Sequence, residues 1–321
     1  MKDPLCQFAD TFPRLTAQIL HRDRRKTRNF REETITDLLM AGLTAFEPLG
    51  VRVDFPVDES KTGEDMDWEF VAPHAKDGRR YLRLHIQAKR AIQPKLKRGP
   101  SYWFYRELDH EAQKHTGHGS QAERLIREAR SRAGCVPLYM FYHTLDALER
   151  EDPLRRLPAV EGVNVMFADA LGPVLSAHPP VPGNRRWPVG EKKIEKWRPH
   201  FMPLSALLCL GSAMTWIEWH LDAADGSDSL MRFLVAGGGG SFAPGAVADQ
   251  LNERRRNLAG HDGFADVAPV EAAEEIPEAT MHAIETWQER PFKAEIPRPR
   301  AIFLHGGVAP ILAIEERPED A

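Results

Sequence analysis

The stretch Tyr81–Arg90, read as YLRLHIQAKR, constrains the fold of this chain more than any other segment. Leu82, Leu84, Ile86 and Ala88 alternate with Arg83, His85, Gln87 and Lys89. A period of two specifies a β-strand, with one face in a core and the other face available for chemistry. On that second face Gln87 and Lys89 point the same way, about 7 Å apart along the strand. A purely structural strand more often carries Thr, Ser or a single charge at such positions. An unpaired ammonium is costly to bury, so Lys89 is expected to face carboxylates or a phosphate. His85 shares this face, where a satisfied structural histidine is the simpler reading.

The preceding segment, TGEDMDWEF, alternates in the same way. Met66, Trp68 and Phe70 form its apolar face, and Asp65, Asp67 and Glu69 form the other. Pro73–Arg80 joins the two strands and contains Asp77-Gly78, a strong hairpin signal. Antiparallel pairing brings a carboxylate of the first strand toward Gln87 and Lys89. Oxygen ligands beside a cation are what metal-assisted phosphodiester cleavage requires. The oxygens hold a hard Mg²⁺ ion, and the ion stabilises charge on the phosphate while the lysine steadies the nucleophile or the developing negative charge.

Ahead of these strands, residues 29–46 carry Ile35, Leu38, Leu39, Gly42, Leu43 and Phe46 at helical spacing. Glu32 and Glu33 fall in the first turn, where the helix dipole favours carboxylates in any case. Val51, Val53 and Phe55 alternate in Gly50–Pro56, a candidate first strand. Gln121–Arg132 reads as a helix with Leu125, Ile126 and Ala129 inside, and Cys135–Tyr142 as a buried strand.

Asp65 followed by Gln87-Ala88-Lys89 on the next strand resembles the PD-(D/E)XK, restriction-endonuclease-like nuclease superfamily, in the branch where Gln replaces the acidic residue, as in Mrr-type enzymes. The resemblance spans roughly residues 29–143. It implies an α/β fold with an αβββαβ core, a mixed central sheet flanked by helices, and here a C-terminal elaboration. It also implies catalytic roles for Asp65, Gln87, Lys89 and Glu33, with Asp65, Gln87 and Glu33 as ligands of Mg²⁺, which Mn²⁺ can replace. Glu33 is favoured because Glu33 and Thr36 form the Glu-x-x-Thr pattern of the resembling families; Glu32, nearer the apolar face, is its rival, and Asp67 is a second candidate ligand. The implied substrate is DNA ahead of RNA, in defence or repair, and double-strand cutters of this class often act as homodimers. Gln87 departs from the acidic pattern, and its neutral carbonyl is the weaker Mg²⁺ ligand. The alternative is therefore a catalytically inactive nucleic-acid-binding or interaction module. The Glu-x-x-Thr helix, the Gly-x-Asp strand and the QAKR strand also resemble an uncharacterised bacterial family.

The net charge of −4 does not advertise nucleic-acid binding, so the distribution of charge matters more than its sum. Arg90, Lys95, Lys97 and Arg98 follow the QxK strand with no acid among them and are candidate phosphate contacts; Arg22–Arg31 forms a second basic run. Tyr102–Tyr105 is an aromatic block that either stacks on bases or packs in the core. No apolar run approaches the roughly 18 residues of a membrane span, and the polar N-terminus carries no signal peptide. Cys6, Cys135 and Cys209 fit no zinc spacing and are read as free thiols in a reducing cytoplasm. Gly237–Gly240 lacks the Gly-Lys-Ser/Thr of a phosphate-binding loop. The expected organisation is a basic lead-in over 1–28, a nuclease-like domain over 29–221, and a C-terminal extension over 222–321. Within that extension Ala246–Leu258 is a helix, Ala268–Ala279 is acidic and expected to be poorly ordered, and Arg298–His305 is a late strand.

Overall fold

The computed structural model describes residues 4–23, 30–46, 66–94, 101–110, 120–178, 187–209, 243–258 and 267–289. In chain order the elements are α1 (Pro4–Asp23), α2 (Glu32–Thr44), β1 (Met66–Val71), β2 (Tyr81–Ile92), β3 (Phe104–Tyr105) and α3 (Gln121–Arg130). There follow β4 (Cys135–Tyr142), β5 (Val163–Phe167), α4 (Gly172–Ala177), α5 (Ile194–Trp197), β6 (Met202–Pro203), α6 (Ser205–Leu208), α7 (Pro244–Leu258) and α8 (Glu278–Glu289).

The sheet is mixed and its order is β1-β2-β4-β5-β6, with β3 pairing β2 off this path. β1 lies antiparallel to β2, with Met66 opposite Ile86 and Asp67 opposite His85. The hairpin turns where Gly78 takes φ +76°, a value that L-residues rarely adopt. β4 runs parallel to β2, setting Gln87 beside Tyr139 and Lys89 beside Phe141. A parallel neighbour requires a crossover, and α3 supplies it, started by a capping box between Ser120 and Glu123. β5 closes antiparallel on β4, and β6 on β5. The chain is thus an α/β protein with a mixed sheet flanked by helices, the class read from its sequence.

Three findings depart from the sequence reading. The polar face of β2 is not open: His85, Gln87 and Lys89 are buried along with Leu84, Ile86 and Ala88. β2 is a central strand packed by α2, α3 and α7, so both of its faces lie inside. The lead-in is not a basic tail, because α1 occupies most of it. Leu5, Ala9, Phe12, Thr16 and Leu20 form its buried stripe, a three-and-four spacing interrupted by Pro13. Gly162 meets this helix so closely that a Cβ there would overlap the Pro13 carbonyl. Third, Cys6 and Cys209 are joined in a disulfide, which corrects the expectation of free thiols; Cys135 takes no part in it. The cytoplasmic assignment loses the support it drew from free cysteines. Among the described residues no helix is long and apolar enough to cross a membrane.

The chain divides into two compact units, Met1–Glu278 and Ala279–Ala321. The expected boundary near residue 222 lies outside the described residues, but α7 and the segment after it belong to the first unit with the sheet. Val247, Ala248 and Leu251 of α7 are buried, and Arg79 at the β1–β2 hairpin binds Asp249 through both terminal nitrogens, each at 2.8 Å. The acidic segment after α7 is ordered rather than loose. Ala273 exchanges hydrogen bonds with Tyr81, its N–H donating at 2.7 Å and its carbonyl accepting at 3.0 Å. After β4 the chain makes a single 3₁₀ turn at Leu145–Ala147, and the apolar stretch after Pro203 yields only the short α6. The strands expected at Gly50–Pro56 and Arg298–His305 lie outside the described residues.

Candidate active site

Burying the polar face of β2 forces every charge on it to find a partner, and the partners differ along the strand. At the hairpin end they come from β1. The Tyr81 hydroxyl donates to Glu69 at 2.8 Å, Arg83 pairs with Asp67 Oδ2, and His85 Nδ1 lies 2.9 Å from Asp67 Oδ1. Burial alone would raise the Asp67 carboxyl, but hydrogen bonds from His85 and Arg83 outweigh it and hold the group below its ordinary range. Asp67 is therefore engaged by its own hairpin, as expected of a structural acid.

At the other end the partner comes from α2. Lys89, 4% exposed, places Nζ 3.6 Å from Glu32 Oε1, an ion-pair distance beyond hydrogen-bond length. The other oxygen of the same carboxylate accepts the Arg90 backbone N–H at 3.2 Å. Arg90 also donates from its guanidinium to the Phe30 carbonyl, which ties the entry to α2 against the end of β2. α2 is held deeper in the sheet by Thr36, whose hydroxyl sits 2.9 Å from that of Tyr142.

It is thus Glu32, and not Glu33, that reaches Lys89. The buried stripe of α2 is Ile35, Thr36, Leu39, Met40 and Leu43, while Leu38 is 42% exposed. Glu32 lies one turn before Ile35 and Thr36 on that stripe; Glu33 is turned to solvent. Gln87 is fully buried on β2, one pleat from Lys89 on the same face. Asp65 and the basic residues Lys95, Lys97 and Arg98 lie outside the described residues. Arg90 is partly exposed at the rim.

The electrostatics of Glu32 distinguish it from Asp67. Burial raises its carboxyl above the ordinary range; Lys89 opposes the rise, while the negative charges of Glu107 and Glu33 add to it. A single ammonium does not offset burial together with that acid excess, so Glu32 would gain from further positive charge nearby. The donors at this end are oxygens, the carboxylate of Glu32 and the amide carbonyl of Gln87, which suits a hard divalent cation. Among the described residues no three of His, Cys, Asp and Glu come together.

Beyond Lys89 lies an aromatic wall that the sequence reading did not assemble. Tyr105 and Phe141 stand 4.2 Å apart between ring centres, and Tyr139 stacks on Phe141 at 5.7 Å. The Tyr105 hydroxyl is 2.7 Å from His143 Nε2, and His143 Nδ1 is 2.6 Å from the Glu161 carbonyl. A carbonyl only accepts, so Nδ1 carries the proton and Nε2 receives the Tyr105 hydroxyl. Burial lowers His143 to about 4, and burial raises Tyr105 well above its usual value, so both groups are neutral near pH 7. The signals were present: Tyr105 closes the aromatic block, and His143 directly follows the apolar run of β4.

The profile of DUF6615, described as a family of unknown function, matches residues 5–305. The chain belongs to DUF6615. No curated protein and no solved structure matches it. The DUF6615 match takes in α1, α2, the whole described sheet and α7, so the α2–β2 junction and the disulfide-linked α1 both fall within the family's span.

Proposed function

We propose that this DUF6615 protein is a metal-dependent nuclease with a restriction-endonuclease-like core, hydrolysing a nucleic-acid phosphodiester bond, DNA ahead of RNA. The observation that carries the proposal is the buried Glu32–Lys89 pair beside Gln87, drawn from an N-terminal helix and a central strand. A stabilising pair alone has no need of the amide at its side or of the raised Glu32 carboxyl. The order helix, hairpin, crossover helix, parallel strand supports the same core.

Glu32 and Gln87, with Asp65, would hold Mg²⁺, which when bound neutralises charge on the phosphate and lowers the pKa of water. Lys89 orients the attacking water and stabilises the charge that grows on the phosphoryl oxygens. Glu32 keeps that ammonium in place between turnovers. The wall of Tyr105 and Phe141 excludes water from one side of Lys89, which strengthens both interactions.

Incubation of supercoiled plasmid with the protein and Mg²⁺ or Mn²⁺ tests this, with Lys89→Ala and Asp65→Ala alongside. Metal-dependent nicking by the wild type, lost in both variants, is the expected result. Cleavage that persists in both variants refutes the site. Salt-sensitive binding without cleavage across both metals points instead to the inactive binding module.

A further inference from the structure

β3 carries the sheet sideways from the end of β2, and the next segment extends it again. Ile92 pairs with Phe104, and Phe104 in turn forms an isolated antiparallel bridge with Lys193. Two strand spacings place Lys193 about 10 Å from the end of the strand that bears Lys89. The strip is fixed from below. Ile194 N–H donates to the Trp103 carbonyl at 3.1 Å, and Lys192 and Asp109 form a buried ion pair at 2.9 Å. Asp109 also accepts from the Trp187 backbone N–H at 2.8 Å.

On this braced strip Tyr102 remains partly exposed, with the Lys193 ammonium 4.7 Å from its ring centre and the Phe104 ring 5.8 Å away. Lys193 is itself partly exposed. An aromatic ring and a cation held side by side at a protein surface suit one kind of partner well: a base that stacks on the ring and a phosphate that meets the charge. Stacking of this kind requires a base whose face is not already covered by its neighbours, as it is inside a duplex. Arg90, partly exposed at the rim of the Glu32–Lys89 pair, supplies a second cation.

We propose that Tyr102 and Lys193 form a ledge for unpaired nucleotides, leading a single strand or a single-stranded end toward Lys89. The ledge deepens the nuclease reading and rests on it for the position of the scissile phosphate. Tyr102 supplies the stacking face, Lys193 and Arg90 the phosphate contacts, and base identity matters little.

Fluorescence anisotropy in EDTA tests the ledge without requiring catalysis, using the full-length chain with a labelled single strand of mixed sequence and a hairpin duplex of matched length. Tyr102→Ala is expected to weaken single-strand binding about 5- to 100-fold, Tyr102→Phe to preserve it, and duplex binding to change little in either. Lys193→Gln is expected to reduce the slope of log Kd against log salt by about 0.7. Thermal melts of each variant check that the fold is kept. Unchanged single-strand affinity in Tyr102→Ala, or an equal loss on the duplex, overturns the ledge. A wild type that binds no oligonucleotide overturns it too. Metal-dependent cleavage of a single-stranded oligonucleotide that needs Lys89 but ignores Tyr102 and Lys193 sinks the ledge and leaves the nuclease standing. Tyr102-dependent single-strand binding with no cleavage in any metal does the reverse.

Discussion

The two ends of β2 solve one problem in different ways. At the hairpin end, Arg83 and His85 take their counter-charge from Asp67 directly across the ladder, within the shortest loop the sheet offers. At the far end, Lys89 and the Arg90 backbone are served by Glu32, 58 positions earlier than Arg90 and on a helix. The local solution is saturated: two hydrogen bonds hold the Asp67 carboxyl below its ordinary range. The distant one is under-neutralised, with Glu32 held above it. A strand that only had to be stable could have used the local device twice. The contrast teaches that hydrogen bonds hold the carboxylate at one end of β2 ionised, while burial pushes the one at the other end toward its neutral form.

Activity offers the sharpest way to break that contrast. Lys89→Ala should lower plasmid cleavage by on the order of 10²- to 10⁴-fold, and Glu32→Gln should follow it while Glu33→Gln cleaves like the wild type. A Glu33 variant as damaged as the Glu32 variant would erase the distinction between the two glutamates.

Next in size is a pH effect from the aromatic wall. The folded protein keeps His143 neutral down to about 4, whereas an unfolded chain takes up the proton near 6.5. His143 therefore contributes stability that is intact above pH 6.5 and is lost as pH falls toward 4, on the order of 3 kcal/mol in all. Glu32 works in the opposite sense, since its raised carboxyl makes the unfolded chain the better acid as pH rises past 4.5. Denaturant titrations across this range, comparing wild type with His143→Gln, isolate the histidine share; parallel profiles for the two proteins would show that His143 is not held neutral.

At the hairpin end, Asp67→Asn should cost about 2 kcal/mol in chemical denaturation, through weakened hydrogen bonds to charged partners, with cleavage by the remaining folded protein unchanged. Loss of cleavage without loss of stability would make Asp67 part of the site. The smallest effect belongs to Arg79 and Asp249, a pair on the periphery whose carboxylate is largely exposed. A double-mutant cycle should return at most about 1 kcal/mol of coupling.

Much of this was legible in the sequence, and the reasons are specific. The alternation in TGEDMDWEF and Tyr81–Arg90, with the Asp77-Gly78 turn, predicted β1, β2 and their antiparallel pairing, because period and turn chemistry are local. Cys135–Tyr142 read as a strand because a continuous apolar run of that length has few other uses. Burial of the polar face was not legible, since nothing local states that α7 will pack on β2. The choice of Glu32 was only half legible: its place near the apolar face was visible, but the helix rotation that leaves Leu38 outside is set by packing on Tyr142. The α1 stripe was hidden by Pro13 and by the polar residues around it. The pairing of Cys6 with Cys209 could not be read from spacing, because it depends on two helices meeting in the finished fold.

That meeting has a consequence for how the chain is made. α1 leaves the ribosome ahead of β5, α6 and the turn at Leu145–Ala147, on which it packs, and its cysteine partner lies 203 residues downstream. At synthesis rates of about 5–20 residues per second, α1 waits roughly 10–40 s for the segment that carries Cys209. Throughout that interval the part of its apolar stripe that β5 and α6 cover in the finished fold stays exposed. α1 is made before these partners and settles only after them, and a chaperone that holds short amphipathic helices would find its client here.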